Sequence, residues 1–447
     1  MTGLYTDLYE VRMAASYLRR GMTGPATFSL FSRRLPASRG FLVAAGLANV
    51  IDFLADFHFD DEEIDYLRDH AGLDEASLAA LRDMRFTGDV WAVPEGRVVF
   101  ADEPLLEVTA PIAQAQLVET VVLNLVTFAT TVASKAARCR IAAPDATLID
   151  FAFRRTHGVE AAMTVARASA IVGFAATSNV AAARRYGLQA AGTMAHSYVE
   201  AFVDERAAFT AFAEDFPDNA IFLVDTYDTV AGVRAAVEVV ERLGLTGAVG
   251  VRLDSGDLAE LARQARRILD DAGLARAQIV ASGALDEYTI ADLVARRAPI
   301  DAYGIGTKMG VSADAPSLDS AYKLVDYGGR PVMKLSPGKA TFPGPKQVFR
   351  GPSAADGDVL GLRDEPAPDG YEPLLVPVMR AGKPVAPPDP AGEVRAARAR
   401  FDADLAWLPE AARRLTDPEP VVARPSARLD ALREQVARRL GFPVDRP

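Results

Sequence analysis

From about residue 145 onward, short apolar runs recur roughly every 25 to 40 residues: Thr147–Phe151, Leu188–Gly192, Ile221–Val224, Val249–Leu253, Gln278–Ala281 and Ile300–Gly304. Longer stretches between them carry apolar residues on a helical period. Asp228–Leu243 places Val230, Val233, Val237 and Val240 on one face, and Leu258–Ala272 reads the same way. Strands alternating with amphipathic helices predict βα units and a parallel sheet. Six such units predict a closed or nearly closed barrel, with an open doubly wound sheet as the other arrangement of the same elements.

The first 110 residues mix types. Asp7 caps a predicted helix running through Tyr17, with Leu8, Val11, Ala15 and Leu18 at helical spacing. A strand over Thr27–Phe31, a core helix over Phe41–Phe57 and two acidic helices, Glu62–His70 and Glu75–Met84, follow. Val90–Val93, Val98–Phe100 and Leu105–Val108 read as strands punctuated by glycine and proline, and Pro111 opens a long helix reaching about Ala137. Strands at Tyr322–Val325 and Val332–Leu335 are expected to return to this first domain. The Ser336–Lys346 loop is either a plain turn or a phosphate-contacting lid, and the proline-rich stretch 366–390 reads as irregular. A tail helix spans Ser426–Leu440, with Ser426 as cap and Gly441 as stop. The expected organisation is an α+β domain with connecting helix (1–140), an α/β barrel-like catalytic domain (141–320), returning strands and loops (321–390) and a helical extension (391–447).

A net charge of −11 and a pI near 5.1 argue against a nucleic-acid or anionic-membrane footprint, while leaving room for a local basic pocket. One cysteine, Cys139, allows no internal disulfide and fits a reducing compartment. Four histidines and one cysteine make a structural zinc site improbable. Met1–Arg12 lacks the apolar core of a signal peptide, and the most apolar run, Leu117–Ala133, is interrupted by Glu119 and Asn124 and reads as a buried helix. The expected location is cytoplasmic.

Polar residues gather just after the predicted strands: Arg154 and Arg155, His196, Asp225 and Asp228, Asp254 to Asp257, Ser282-Gly283, and Gly304-Ile305-Gly306-Thr307. In parallel α/β folds, active sites lie at the carboxyl ends of the strands. An imidazole with a pKa near neutrality can attack a phosphoryl group and later release it, so His196 is a candidate phosphate carrier rather than a satisfied loop histidine. Arginines offer donor forks for carboxylate or phosphate, and Gly283 and the Gly304–Thr307 segment are candidate phosphate cradles, although a lone GxG is usually a turn. Asp225 and Asp254 suit a magnesium ion, directly or through water, or ribose hydroxyls. A strand-end Asp is as often a helix cap, the competing role for Asp228 and Asp257. Together these groups describe a site for a sugar phosphate with a magnesium-bound pyrophosphate.

Six segments then carry a specific resemblance: Thr6-Asp7-Leu8-Tyr9, Asp150–Arg155, Ala176–Asn179, Gly192–Ser197, Val251–Asp257 and Gly304–Lys308, with Ser336–Arg350 as a further match. Over roughly residues 4 to 350 the chain resembles nicotinate phosphoribosyltransferase. The resemblance implies a type II phosphoribosyltransferase architecture, an irregular α/β barrel domain plus a mixed α+β domain, assembled as a head-to-tail homodimer with shared active sites. It implies ATP-coupled synthesis of nicotinate mononucleotide from nicotinate and phosphoribosyl pyrophosphate, with His196 phosphorylated, Asp254 on the ribose hydroxyls and magnesium near Asp225. The pyridine is sandwiched between Phe151 or Phe153 and Tyr9 of the neighbouring subunit. Arg154, Arg155 and Arg252 serve the carboxylate and the 5′-phosphate, and Thr177, Ser178, Ser282, Gly283, Gly304, Gly306 and Thr307 complete the substrate site. Ala152 stands where the family commonly has Gly. The nearest rival, nicotinamide phosphoribosyltransferase, presents an acid where this chain has Ser178, so a hydroxyl there favours a carboxylate substrate. A quinolinate-using relative would need more basic residues and no phosphohistidine. A catalytically silent sensing protein on the same barrel would be expected to have lost His196, Asp225 or Asp254, all of which are present.

Overall fold

Helix caps explain much of the local structure. In the computed structural model, which describes residues 2–336 and 339–442, Asp60, Asp74, Asn179, Asp204, Asp228, Asp257, Asp286, Asp389 and Ser426 each accept a hydrogen bond from a backbone N–H in the first turn of the helix that follows. Asp228 and Asp257 are therefore caps. The chain divides into two compact units, one combining the residues up to Ser134 with those from Ser317 onward, the other Lys135–Pro316.

The first unit is built on an antiparallel sheet of seven strands. Pro25–Ser32 lies within it between Pro104–Pro111 and Ser320–Tyr327, pairing Leu30 with both Leu106 and Tyr322. That strand is buried on both faces, because helices and the smaller sheets cover it, so its sequence does not alternate. A four-stranded sheet (Glu372–Pro373, Lys346–Arg350, Asp358–Leu362, Arg424–Pro425) and a two-stranded one (Leu42–Val43, Val98–Val99) complete the unit.

Several expected elements differ. The single helix over Phe41–Phe57 is a strand, Leu42–Val43, then a helix, Leu47–Ala55. Between them Gly46 has φ +93°, and a Cβ there would lie 2.5 Å from the Leu125 carbonyl, so neither helix continuation nor a larger residue fits. The helix opened by Pro111 is two, Ile112–Leu117 and Glu119–Ala142. Val332–Leu335 is not a strand; the sheet edge is Arg330–Pro331, where proline removes a ladder donor. The 366–390 stretch contributes the edge strands Glu372–Pro373 and Lys383–Pro384, where prolines are tolerated, and between the latter and Asp89–Ala92 the strand Val376–Arg380, whose pairing with Asp89–Ala92 is irregular between Pro377 and Met379. In the Ser336–Lys346 loop, Pro337 and Gly338 lie outside the described residues. Lys346 is buried and ion-paired with Glu107 at 3.2 Å, which removes it from any phosphate-contacting role.

The second unit holds seven parallel strands: β1 (Thr147–Asp150), β2 (Ala176–Thr177), β3 (Gln189–Ala190), β4 (Asn219–Leu223), β5 (Ala248–Leu253), β6 (Gln278–Ala281) and β7 (Ala302–Ile305). The two-residue β2 is too short to show as a periodic run, which is why six strands were expected. The order is β3-β2-β1-β7-β6-β5-β4. Taken as a ring this is simple chain order, because β7 pairs with β1 and the two edges, β3 and β4, are consecutive. The sheet is a curled, barrel-wound structure open at one seam, not a doubly wound sheet reversing at its middle. Gly232 lets helix Thr229–Leu243 pack closely on the sheet, since a Cβ would come 2.2 Å from the Val224 carbonyl.

Helix Glu119–Ala142 is long and apolar enough to cross a membrane, yet 67% of its most apolar window is buried within the protein. Two of its cations are ion-paired within the protein. Lys135 pairs with Glu287 at 2.6 Å and Asp314 at 2.7 Å, and Arg138 with Glu287 at 2.8 Å. Cys139 is buried and forms no disulfide.

Candidate active site

The carboxyl ends of the parallel strands surround a cavity of about 490 Å³ lined by Phe151, Phe153, Arg154, Ser178, Gly192–His196, Arg252 and Asp254. Each wall is set by local chemistry. After β1 the chain turns through a short 3-10 helix, Phe153–Arg155, which brings both phenylalanines and Arg154 to the cavity. The Phe151 ring lies directly over β7. Gly304 makes this possible, because a Cβ there would sit 2.4 Å from the ring. The Arg252 guanidinium is 6.0 Å from the same ring's centroid, at the edge of cation–π range. Ala152, where the family commonly has Gly, has φ −85° and ψ −21°, an ordinary right-handed conformation, and its methyl packs into the space left by Gly310. Alanine therefore fits without strain.

The seam of the barrel is bridged by side chains. His196, the first residue of the short helix His196–Glu200 that follows the loop after β3, places Nδ1 3.2 Å from Oγ1 of Thr226, which follows β4. Arg252 on β5 donates from Nη1 to Thr193 Oγ1 at 2.6 Å. The loop carrying His196 is thus held across the opening between β3 and β4. Burial lowers the pKa of Arg252 against the pull of Asp254 and Asp225, but an arginine stays cationic throughout.

A row of acidic groups links three strand ends. Asp225 Oδ2 accepts from the Asp254 N–H at 2.9 Å and from Ser255 Oγ at 2.6 Å. Asp254 Oδ1 in turn accepts from Ser282 Oγ. Asp225 Oδ1 is buried with no hydrogen-bond partner. Glu205, which begins the helix Glu205–Asp215, has its pKa raised by burial and then by Asp228, Asp204 and Asp225, so negative potential concentrates beside the seam.

The sequence matches the nicotinate phosphoribosyltransferase (NAPRTase) N-terminal domain over residues 4–127 and the nicotinate phosphoribosyltransferase (NAPRTase) family over residues 146–341. The chain belongs to the nicotinate phosphoribosyltransferase family. It is similar to a nicotinate phosphoribosyltransferase of Mycobacterium tuberculosis, 50% identical over 383 residues that cover 85% of this chain and 82% of that protein. A nicotinate phosphoribosyltransferase of Bacillus subtilis is 44% identical over 379 residues, covering 82% of this chain and 77% of that protein. The crystal structure of human nicotinic acid phosphoribosyltransferase matches with a TM-score of 0.85 at 32% identity, covering 96% of this chain and 99% of that one. This member of the nicotinate phosphoribosyltransferase family is accordingly an enzyme, with the α/β-barrel-plus-α+β architecture expected from its motifs.

Within this family member the expected site residues separate into groups. Phe151, Phe153, Arg154, Ser178, His196, Arg252 and Asp254 line one cavity. Asp225 and Ser282 stand behind Asp254. Thr177, expected as a substrate contact, is 1% exposed and spends its hydroxyl on Asp150 at 2.7 Å. A Cβ on Gly283 (φ +86°) would meet the Asp254 carbonyl at 1.9 Å, and the space above Gly304 holds Phe151, so both positions require glycine for close packing. Arg155, Gly306 and Thr307 are not among the residues lining this cavity. Tyr9 belongs to the first unit, on helix Leu8–Arg19. It is 50% exposed, with its hydroxyl donating to Glu10 Oε1 at 3.1 Å. Burial, Glu119, Glu10 and Asp7 hold its phenol well above the usual range, so it stays neutral. Sequence reasoning missed Thr193, Thr226 and Asp150. Thr226 adjoins Asp225 and Asp150 precedes Phe151, so proximity to motif residues was the available signal.

Proposed function

We propose that this protein joins nicotinate to phosphoribosyl pyrophosphate, giving nicotinate mononucleotide and pyrophosphate, with ATP hydrolysis coupled through a phosphohistidine at His196. The observation that carries this reading is the single cavity that gathers aromatic, hydroxyl and cationic groups for a pyridine carboxylate beside a histidine and a ribose-type aspartate. The pyridine nitrogen forms its bond to the anomeric carbon as the bond from that carbon to pyrophosphate breaks. Positive charge builds on the ribose and negative charge on the leaving group, and no proton moves. Positioning and electrostatics therefore carry the catalysis.

Phe151, braced over Gly304, supplies a ring face for the pyridine, and Tyr9 of the neighbouring subunit in a homodimer supplies the other. Ser178 donates to the carboxylate, with Arg154 and Arg252 as cationic donors to carboxylate and 5′-phosphate. Asp254, steadied by Ser282, takes the ribose hydroxyls. The residues fit a magnesium ion carried by the pyrophosphate. Asp225 keeps one buried oxygen unpartnered, and among the described residues no group of three His, Cys, Asp or Glu forms an all-protein cage, as suits an ion that draws most of its ligands from phosphate and water. Asp225 and Asp254 would hold such an ion, directly or through water, and it would supply positive charge against the departing pyrophosphate.

In the coupled step a ring nitrogen of His196 attacks the γ-phosphorus of ATP, ADP departs, and water later cleaves the N–P bond to release phosphate. Thr226 orients the ring for this. The product places the enzyme at the first step of NAD synthesis from nicotinate, in the reducing cytoplasm that the lone, buried Cys139 suits.

The test is product formation, resolved by chromatography, from phosphoribosyl pyrophosphate and magnesium with nicotinate or nicotinamide, each with and without ATP. Turnover of nicotinate, stimulated by ATP, is expected. Preference for nicotinamide would overturn the role of Ser178, and no product from either would overturn the activity and favour a sensing role.

A further inference from the structure

Asp150 ends β1 and is 1% exposed. It touches no part of the cavity surface, yet it ties together both sides of the pyridine subsite. Its Oδ1 accepts from the Ala152 N–H at 2.8 Å, inside the turn that carries Phe151, Phe153 and Arg154. Its Oδ2 accepts from Thr177 Oγ1 at 2.7 Å, on the neighbouring strand β2. Its own backbone carbonyl accepts from the Ser178 N–H at 2.8 Å. Thr177 Oγ1 also accepts from the Asn179 N–H at 3.0 Å, and Asn179 caps the helix Val180–Tyr186 through Ala182 N–H at 3.1 Å. Side chains alternate along an extended segment, so a Thr177 turned inward to Asp150 turns Ser178 outward to the cavity.

We propose that Asp150 is the positioning residue of the pyridine-carboxylate subsite, fixing the distance between the Phe151–Arg154 wall and the Ser178 hydroxyl and thereby the enzyme's preference for nicotinate over nicotinamide. This rests on the phosphoribosyltransferase reading given above. The physical basis is that a buried carboxylate takes two donors at once and resists the loss of either, so two strand ends are locked in one register. An amide at 150 keeps one acceptor but presents a donor to a hydroxyl that already accepts from Asn179. The Thr177 proton is then left without an acceptor, and the two walls are free to shift.

The experiment compares the wild-type enzyme with Asp150→Asn, Thr177→Val and Thr177→Ser, measuring KM and kcat for nicotinate, nicotinamide and phosphoribosyl pyrophosphate, with thermal unfolding in parallel. Asp150→Asn and Thr177→Val are expected to raise the nicotinate KM about tenfold or more, as an ångström-scale misplacement of binding groups does. The KM for phosphoribosyl pyrophosphate should change several-fold less than that for nicotinate, because Asp225, Asp254 and Ser282, assigned to its ribose and pyrophosphate, come from other strand ends. Thr177→Ser keeps the hydroxyl and should return nicotinate KM and selectivity to wild-type values. Unchanged nicotinate KM in a folded Asp150→Asn or Thr177→Val enzyme overturns the proposal. So does a parallel change in every kinetic constant that follows lost stability, or failure of Thr177→Ser to restore selectivity. If Asp150→Asn does not fold, the Thr177 pair decides. A wild-type enzyme that does not use nicotinate overturns the underlying function instead, and is read directly from the control.

Discussion

Gly304→Ala tests the placement of the pyridine-stacking ring most directly. An added Cβ would stand 2.4 Å from Cδ2 and Cε2 of Phe151. Carbon atoms in contact rest at about 3.5–4.0 Å, so the ring must retreat by about 1 Å. The backbone cannot follow, because the Phe151 N–H is bonded to the Ile305 carbonyl at 2.8 Å and the next N–H to Asp150 at 2.8 Å. The ring therefore rotates out of place. Overpacking of this kind costs about 1–3 kcal/mol of stability. A displacement of about 1 Å at a binding face lowers kcat/KM for nicotinate by about 10- to 100-fold, equivalent to about 1.4–2.7 kcal/mol. The assay is steady-state kinetics on Gly304→Ala, Phe151→Ala and the double variant, with thermal unfolding to confirm folding. With the ring gone the added methyl has nothing to displace, so the double variant should lose little beyond Phe151→Ala alone, a coupling of about 1–3 kcal/mol. Additive losses, or a folded Gly304→Ala enzyme with unchanged nicotinate KM, would refute the reasoning and make Phe153, 37% exposed on the same wall, the stacking ring.

Three further outcomes are expected. His196→Ala should abolish ATP hydrolysis and acid-labile labelling from γ-labelled ATP while slow, ATP-independent mononucleotide synthesis persists; complete loss of that synthesis in a folded variant would contradict a carrier role. Ser178→Asp should weaken nicotinate about tenfold or more relative to nicotinamide, through like-charge repulsion at the cavity wall, and equal effects on both substrates would refute it. Asp102, in the first unit with φ +63°, has its pKa pushed by burial from 3.8 to about 6, with Arg33 pulling the other way. The folded state thus binds the proton more tightly than the unfolded chain, so stability is lost as pH rises from about 4 through about 6. Asp102→Asn, compatible with the left-handed backbone, should raise the melting temperature at pH 8 and leave it unchanged near pH 3.5. Equal shifts in melting temperature at both pH values would disprove the assignment.

The apolar rhythm after residue 145 was enough to indicate the parallel βα units, and the polar residues trailing the runs marked the strand ends where Arg154, His196 and Asp254 meet, while Phe151, Ser178 and Arg252 were reached only through the family resemblance. Local caps such as Asp228, Asp257 and Ser426 were also written in the chain, because a cap acts within one turn of its own helix. The elements that sequence missed are short or depend on distant partners. β2 has two residues, and Gly46 breaks a helical pattern because of the Leu125 carbonyl, 79 positions on. The closing of β7 onto β1, and so the choice of a seamed barrel over a doubly wound sheet, lies in pairings between residues more than 150 positions apart. Likewise the packing of Gly304, Gly283, Thr177 and Asp150 follows from which atom occupies the neighbouring space. Sequence period fixes which face a residue occupies, whereas only the folded chain decides what stands opposite it, and that contact separates a residue on the cavity wall from the residue that holds it.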